Sequence, residues 1–90
     1  MKVSVIISTY NSPEWLEKVL WGYTCQIHKD FEIIVADDGS GKETLDVIHF
    51  FQENSQLEIY HIWHEDKGYR RQVILNKAIQ NAHAEYLIFT

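Results

Sequence analysis

Cysteine is almost absent from this chain, and the single one, Cys25, excludes an internal disulfide framework and suits a reducing cytosol. Read as a small buried apolar residue, it needs no further role. Proline also occurs once, at Pro13, and there is no low-complexity tract, internal repeat or linker. Ninety residues without a boundary make one small domain, with a core that is not generous at this size. Basic residues are few. Eight against thirteen acidic ones leave a formal charge of -5, which repels a polyanion unless the cations share one face. Only Lys67, Arg70 and Arg71 cluster, so nucleic acid is not an expected partner. No apolar run approaches the roughly 18 residues of a membrane span, and no charged segment followed by an apolar one opens the chain. The sequence reads as soluble and cytoplasmic. Peripheral association of a longer protein with the cytoplasmic face of a membrane is left open. A glycine-rich dinucleotide fingerprint and a phosphate-loop Lys-Ser/Thr pair are both missing, which disfavours an ordinary dehydrogenase or nucleoside triphosphatase.

What is present is a recurrence of short apolar, β-branched runs at about residues 2–8, 31–37, 57–63 and 85–90. Their length and composition predict strands. Three stretches of helical period separate them, giving β-α-β-α-β-α-β and hence a Rossmann-like α/β fold with a parallel sheet and right-handed crossovers. The first helix starts at Asn11 or Ser12 as N-cap with Pro13 in the first turn, and buries Leu16, Val19, Leu20 and Tyr23. Gly22 loosens it near its end. The second runs from about Lys42 to Asn54, with Leu45, Ile48 and Phe51 on one face and Val47 and Phe50 widening it. The third begins near Tyr69 or Arg70 and carries Ile74, Ala78 and Ala82 at four-residue steps, with Leu75 and Ile79 beside them.

Two of the strands close on polar signatures, Ser8-Thr9-Tyr10-Asn11 and Asp37-Asp38-Gly39-Ser40. In an open parallel sheet ligands bind at the strand ends, so these groups describe a pocket. One acid can accept hydrogen bonds from a ligand while the other caps the turn, and Gly39 permits a left-handed backbone. A flat ring such as Tyr10 can stack on a base. Each loop alone is also explained as turn or cap chemistry; their occurrence on one sheet edge favours a site. The third strand end delivers His64-Glu65-Asp66-Lys67-Gly68-Tyr69-Arg70-Arg71, where cations beside a helix N-terminus suit phosphate oxygens. A solvated charged loop explains that run equally well. His61 and His64 stand an odd number of strand positions apart and point to opposite faces, which disfavours a histidine metal site. A phosphoacceptor signalling domain would need an acid at the first strand end, and Ser8-Thr9-Tyr10-Asn11 has none.

These segments, with Asn76 and Glu85-Tyr86-Leu87-Ile88-Phe89, resemble the opening half of a family 2 glycosyltransferase of GT-A fold. The likeness covers essentially the whole chain. It implies an inverting enzyme that moves a sugar from a nucleotide-diphosphate donor, most often a UDP-sugar, to an acceptor hydroxyl on a carbohydrate or glycolipid. It also implies a nucleotide site made of Ser8, Thr9, Tyr10, Asp37, Asp38, Gly68, Arg70, Arg71 and Asn76. Leu75 stands where many members have arginine and Ala84 where glycine is common. Gly68-Tyr69-Arg70 looks more like the branch of chondroitin-polymerase-type and galactosyl or N-acetylgalactosaminyl transferases. The same resemblance implies that Mn²⁺ or Mg²⁺ is held by an Asp-x-Asp motif after the fourth strand, with a catalytic base further on. Neither is within residues 1–90, so this stretch is expected to be the nucleotide-binding part, inactive alone. Ending at Thr90 within a strand, it is also expected to leave apolar edge and face uncovered and to self-associate. The competing expectation is a non-catalytic nucleotide-binding or interaction module of the same fold.

Overall fold

A computed structural model describes residues 3–26, 30–64, 71–84 and 86–89. The element order is β1 (Val3–Thr9), α1 (Pro13–Thr24), β2 (Phe31–Asp37), α2 (Lys42–Asn54), β3 (Glu58–Trp63), α3 (Arg71–Gln80) and β4 (Tyr86–Phe89). The four strands form one parallel sheet of order β3-β2-β1-β4, the α/β architecture that the spacing of apolar runs predicts.

The two central strands are apolar on both faces because both faces are covered. Val5, Ile7, Ile33 and Val35 pack against Leu16 and Leu20 of α1 and Ile48 and Phe51 of α2. Ile6, Ile34 and Ala36 point the other way and meet Ile74 and Ala78 of α3. The alanine gives the close helix approach that its small side chain allows. The edge strands are less covered: β4 pairs with β1, and Ile88 and Phe89 on it remain half exposed.

Several expectations are corrected. The buried stripe of α2 is Thr44, Ile48 and Phe51, while Leu45 and Phe50 are exposed. The i, i+4, i+7 line through Thr44 is the one that meets the sheet, and Phe50 lies off it against Trp21 at the rim, with ring centroids 6.1 Å apart. Ile79 is likewise exposed. Cys25 is exposed rather than buried, because it follows the last turn of α1, where Tyr23 packs on Phe31 instead. Ser12 is the residue before α1 but makes no side-chain cap, and its hydroxyl donates to the Tyr10 carbonyl. Pro13 does occupy the first turn.

Candidate functional site

The register of the sheet sets Thr9, Asp37 and Trp63 side by side at the carboxyl ends of β1, β2 and β3. The two loops that follow β1 and β2 are stitched together. The backbone N–H of Asn11 donates to Ser40 Oγ at 2.7 Å, and the N–H of Gly41 donates to Asn11 Oδ1 at 2.8 Å. Asn11 adopts φ 46°, a left-handed conformation that asparagine tolerates better than most residues. This aims its side chain at the second loop, so its role is to bridge loops rather than to cap α1. Gly39 has φ 89°, as the turn requires.

The two adjacent acids take different partners. Asp37 is buried; its Oδ1 accepts the N–H of Ser40 at 2.9 Å and its Oδ2 accepts Nε2–H of His61 at 2.8 Å. Burial works to raise its pKa, but the hydrogen bonds from His61 and Ser40 outweigh it and hold the carboxyl below its ordinary 3.8. Asp37 is therefore the acid that closes the turn. Asp38 is tied by its own N–H to the Thr9 carbonyl at 3.1 Å, and its Oδ1 accepts from Nε2 of His64. A carboxylate can only accept, so in both pairs the imidazole Nε2 carries the hydrogen. The N–H of His64 donates to the Asp37 carbonyl at 3.3 Å, which fixes the third loop to the second.

Beside Asp37 lies a cleft of about 490 Å³, walled by Leu45, Lys42, His61 and Trp63. The indole N–H of Trp63 donates to the Ser40 carbonyl at 3.2 Å. Among the described residues, two buried polar atoms have no hydrogen-bond partner, Thr9 Oγ1 and His64 Nδ1, an uncommon condition that asks for a ligand or water. Tyr10 presents a half-exposed ring at the mouth of the same edge.

Of the residues singled out from sequence, Thr9, Tyr10, Asp37 and Asp38 are brought to one edge, with Ser8 half-buried beside them. Asn76 is exposed midway along α3. Arg71 opens α3, while its side chain and all of Lys67, Gly68, Tyr69 and Arg70 lie outside the described residues. Sequence reasoning overlooked His61 and His64 as partners of the acids, and Asn11 as the loop bridge. The His61-x-x-His64 spacing is a signal for the first two, since odd separation on a strand sends each ring to a different acid. Among the described residues no group of three or more His, Cys, Asp or Glu could hold a metal ion. The acids and histidines of this edge are engaged as pairs, and they do not form a seat for the divalent ion that the resemblance implies.

Comparison with known proteins bears on the chain as a whole. The family model described as Glycosyl transferase family 2 matches residues 4–90. The validoxylamine A glucosyltransferase of Streptomyces hygroscopicus subsp. jinggangensis is 36% identical over 97% of this chain and 21% of its own length. An uncharacterised glycosyltransferase of Bacillus subtilis is 41% identical over 99% of this chain and 22% of its own. Among solved structures, S. aureus TarS 1-349 in complex with UDP-GlcNAc superposes with a TM-score of 0.78 at 28% identity, covering 100% of this chain and 26% of that one. The chain thus spans about a fifth of the length of such relatives.

Proposed function

This chain belongs to glycosyl transferase family 2, and from that premise we propose that residues 1–90 are the N-terminal nucleotide-sugar-binding part of a glycosyltransferase. The observation that carries the reading is the convergence of Thr9, Tyr10, Asp37 and Asp38 on one edge of a parallel sheet, with a buried, unpartnered hydroxyl on Thr9. Asp38 accepts from the base of the nucleotide, Tyr10 lies against the base, and Asp37 holds the turn that presents Asp38. Ser8 adds a hydroxyl to the same wall. Gly68, Arg70, Arg71 and Asn76 complete the site, the arginines on the phosphates.

The donor is a UDP-sugar, a reading supported by the TarS structure solved with UDP-GlcNAc and by the glucosyltransferase relative. The transferred group is a hexosyl or N-acetylhexosaminyl unit, and the likeness of the Gly68-Tyr69-Arg70 run to the galactosyl and N-acetylgalactosaminyl branch supports a sugar of that kind. The acceptor hydroxyl of a carbohydrate or glycolipid attacks the anomeric carbon as its bond to the diphosphate breaks, with inversion. The hydroxyl proton goes to an acid outside residues 1–90. Mn²⁺ or Mg²⁺, for which the described residues offer no ligand group, would supply charge neutralisation on the leaving diphosphate. Within this stretch the residues bind and orient the nucleoside. The reaction belongs to the cytoplasmic side, at the membrane face where a longer protein associates with it. No described helix is long and apolar enough to cross a membrane.

Calorimetric titration with UDP, with and without Mn²⁺, tests this reading. We expect weak binding that does not need the metal and that falls about tenfold or more in Asp38→Ala, the loss of a charge-assisted hydrogen bond. A folded chain that binds neither UDP nor a UDP-sugar would refute it.

A further inference from the structure

We propose that the cleft beside Asp37 is a carbohydrate-binding subsite, with Trp63 as the platform on which a pyranose ring stacks and His61 Nδ1 as the partner of one of its hydroxyls. This assignment goes beyond the nucleotide reading and stands without it. His61 and Trp63 lie two residues apart on the edge strand β3, opposite Val35 and Asp37 of β2, on the face of the sheet that α2 covers. The cleft they wall holds about 490 Å³, within the roughly 300–1,000 Å³ of small-ligand sites. Trp63 is 51% exposed, although its indole N–H is held by the Ser40 carbonyl at 3.2 Å. The ring is thus both open and fixed in direction, and exposed Leu45 continues the apolar wall.

The polar groups of the wall select the ligand. Lys42 Nζ is paired with Asp46 at 3.1 Å; Asp37 Oδ2 is paired with His61 Nε2 at 2.8 Å, and its Oδ1 takes the N–H of Ser40. Each charge of the lining therefore has a partner within the protein, and an uncharged ligand disturbs none of these bonds. His61 has one nitrogen left. Among the described residues its Nδ1 has no hydrogen-bond partner, and it is not sealed away, since the unpartnered buried side-chain atoms there are Thr9 Oγ1 and His64 Nδ1. Whether it carries a proton or a lone pair, Nδ1 suits a hydroxyl, which both donates and accepts. The edge of a base, with fixed donors and acceptors, would match only one of those states at a given ring atom. An apolar C–H face for the indole, hydroxyls around its rim and no charge describe a pyranose.

The test titrates the methyl glycosides of glucose, galactose, N-acetylglucosamine and N-acetylgalactosamine, and separately UDP, into the full chain as wild type, Trp63→Ala and Trp63→Phe. The ¹⁵N resonances of the Trp63 indole and the His61 imidazole report on the cleft. At least one glycoside moves both in wild type, with a Kd of about 1–10 mM, as a single stacked ring in an open cleft requires. Read on His61, Trp63→Ala weakens that glycoside by about tenfold, while Trp63→Phe keeps most of the affinity. Both variants lose the bond to Ser40, so the difference between them isolates the stacking face. Resonances of a folded wild type that stay unmoved by every glycoside at tens of millimolar, or equal weakening in the two variants, overturn the assignment. UDP moving them where no glycoside does also overturns it and leaves the nucleotide reading standing. A glycoside that binds where UDP does not keeps the subsite and removes the nucleotide reading.

Discussion

Glu32 is a carboxylate at the centre of the sheet, fully buried on the α3 face, and its removal should destabilise the fold by more than any surface change could. Its Oε2 accepts from Ser4 Oγ at 2.5 Å, across the register pair that joins β1 to β2, and from the backbone N–H of His83 at 2.6 Å. Its Oε1 accepts from Nδ1 of His83 at 2.9 Å. Glu32→Ala strands a buried Ser4 hydroxyl, at about 1–3 kcal/mol, and loses a charge-assisted bond to the His83 N–H at about 1.5 kcal/mol. The His83 ring is mostly exposed, so water replaces that contact at little cost. Relief of the carboxylate's own desolvation offsets part of the sum, leaving a net loss of about 2–3 kcal/mol. Glu32→Gln keeps the shape and an acceptor and should lose about 1–2 kcal/mol. Urea unfolding followed by tryptophan fluorescence reads both. Burial raises the Glu32 pKa, while the bonds from Ser4 and His83 pull it lower, for a net value below the ordinary 4.5. Its stabilisation is therefore complete above pH 4.5 and is lost as pH falls through the depressed folded value. Wild type should lose its advantage over Glu32→Gln only in that acid window. A Glu32→Ala cost under about 0.5 kcal/mol, or a gap between wild type and Glu32→Gln that closes already at neutral pH, would refute the reasoning.

Asn11→Ala puts at a left-handed φ a residue that tolerates it less well than asparagine and deletes the bond from Gly41, so it should cost about 1–2 kcal/mol and weaken UDP binding, measured by urea unfolding and calorimetry. Asp37 is also held below its ordinary pKa, so its contribution persists above pH 3.8 and vanishes as pH drops through the lower folded value; Asp37→Asn should flatten the acid limb of the stability curve. Ile88→Lys charges the half-exposed edge strand, and sedimentation should then show less self-association than wild type. Equal sedimentation of the two at all concentrations would remove the edge strand from the account.

The strands and helices were legible because apolar runs of strand length alternate with helical periods, and α2 spans the residues its pattern suggests. Periodicity locates a stripe but not which line of it meets the sheet, which is why Leu45 and Phe50 were misplaced and Thr44 overlooked. Cys25 misled because burial frequency is a property of cysteine in general and not of the turn it occupies. The Glu32 clasp was illegible for a different reason: its partners lie 28 and 51 residues away, and no local spacing signals them. Asn11, like Ser12, is expected as a cap because asparagine and serine are favoured there ahead of a first-turn proline; only the neighbouring loop makes Asn11 a bridge.

The pair Asp37-Asp38 was read as two acids of one site without deciding between them, and strand parity decides. Residues 33, 35 and 37 of β2 share a face with Ile59 and His61 of β3, so the Asp37 carboxylate is turned toward α2 and consumed by His61 and Ser40. Residues 34 and 36 share the other face with Ile62, and the acid that follows in step, Asp38, meets His64. A one-residue shift between the acids thus separates the carboxylate engaged by His61 and Ser40 from the one engaged by His64, and the same shift separates the histidines. Inserting one residue between Asp37 and Asp38 would return the second acid to the first one's phase and break its pair with His64. Binding of UDP should then be lost, although the sequence would still read Asp, Asp, Gly, Ser at a strand end.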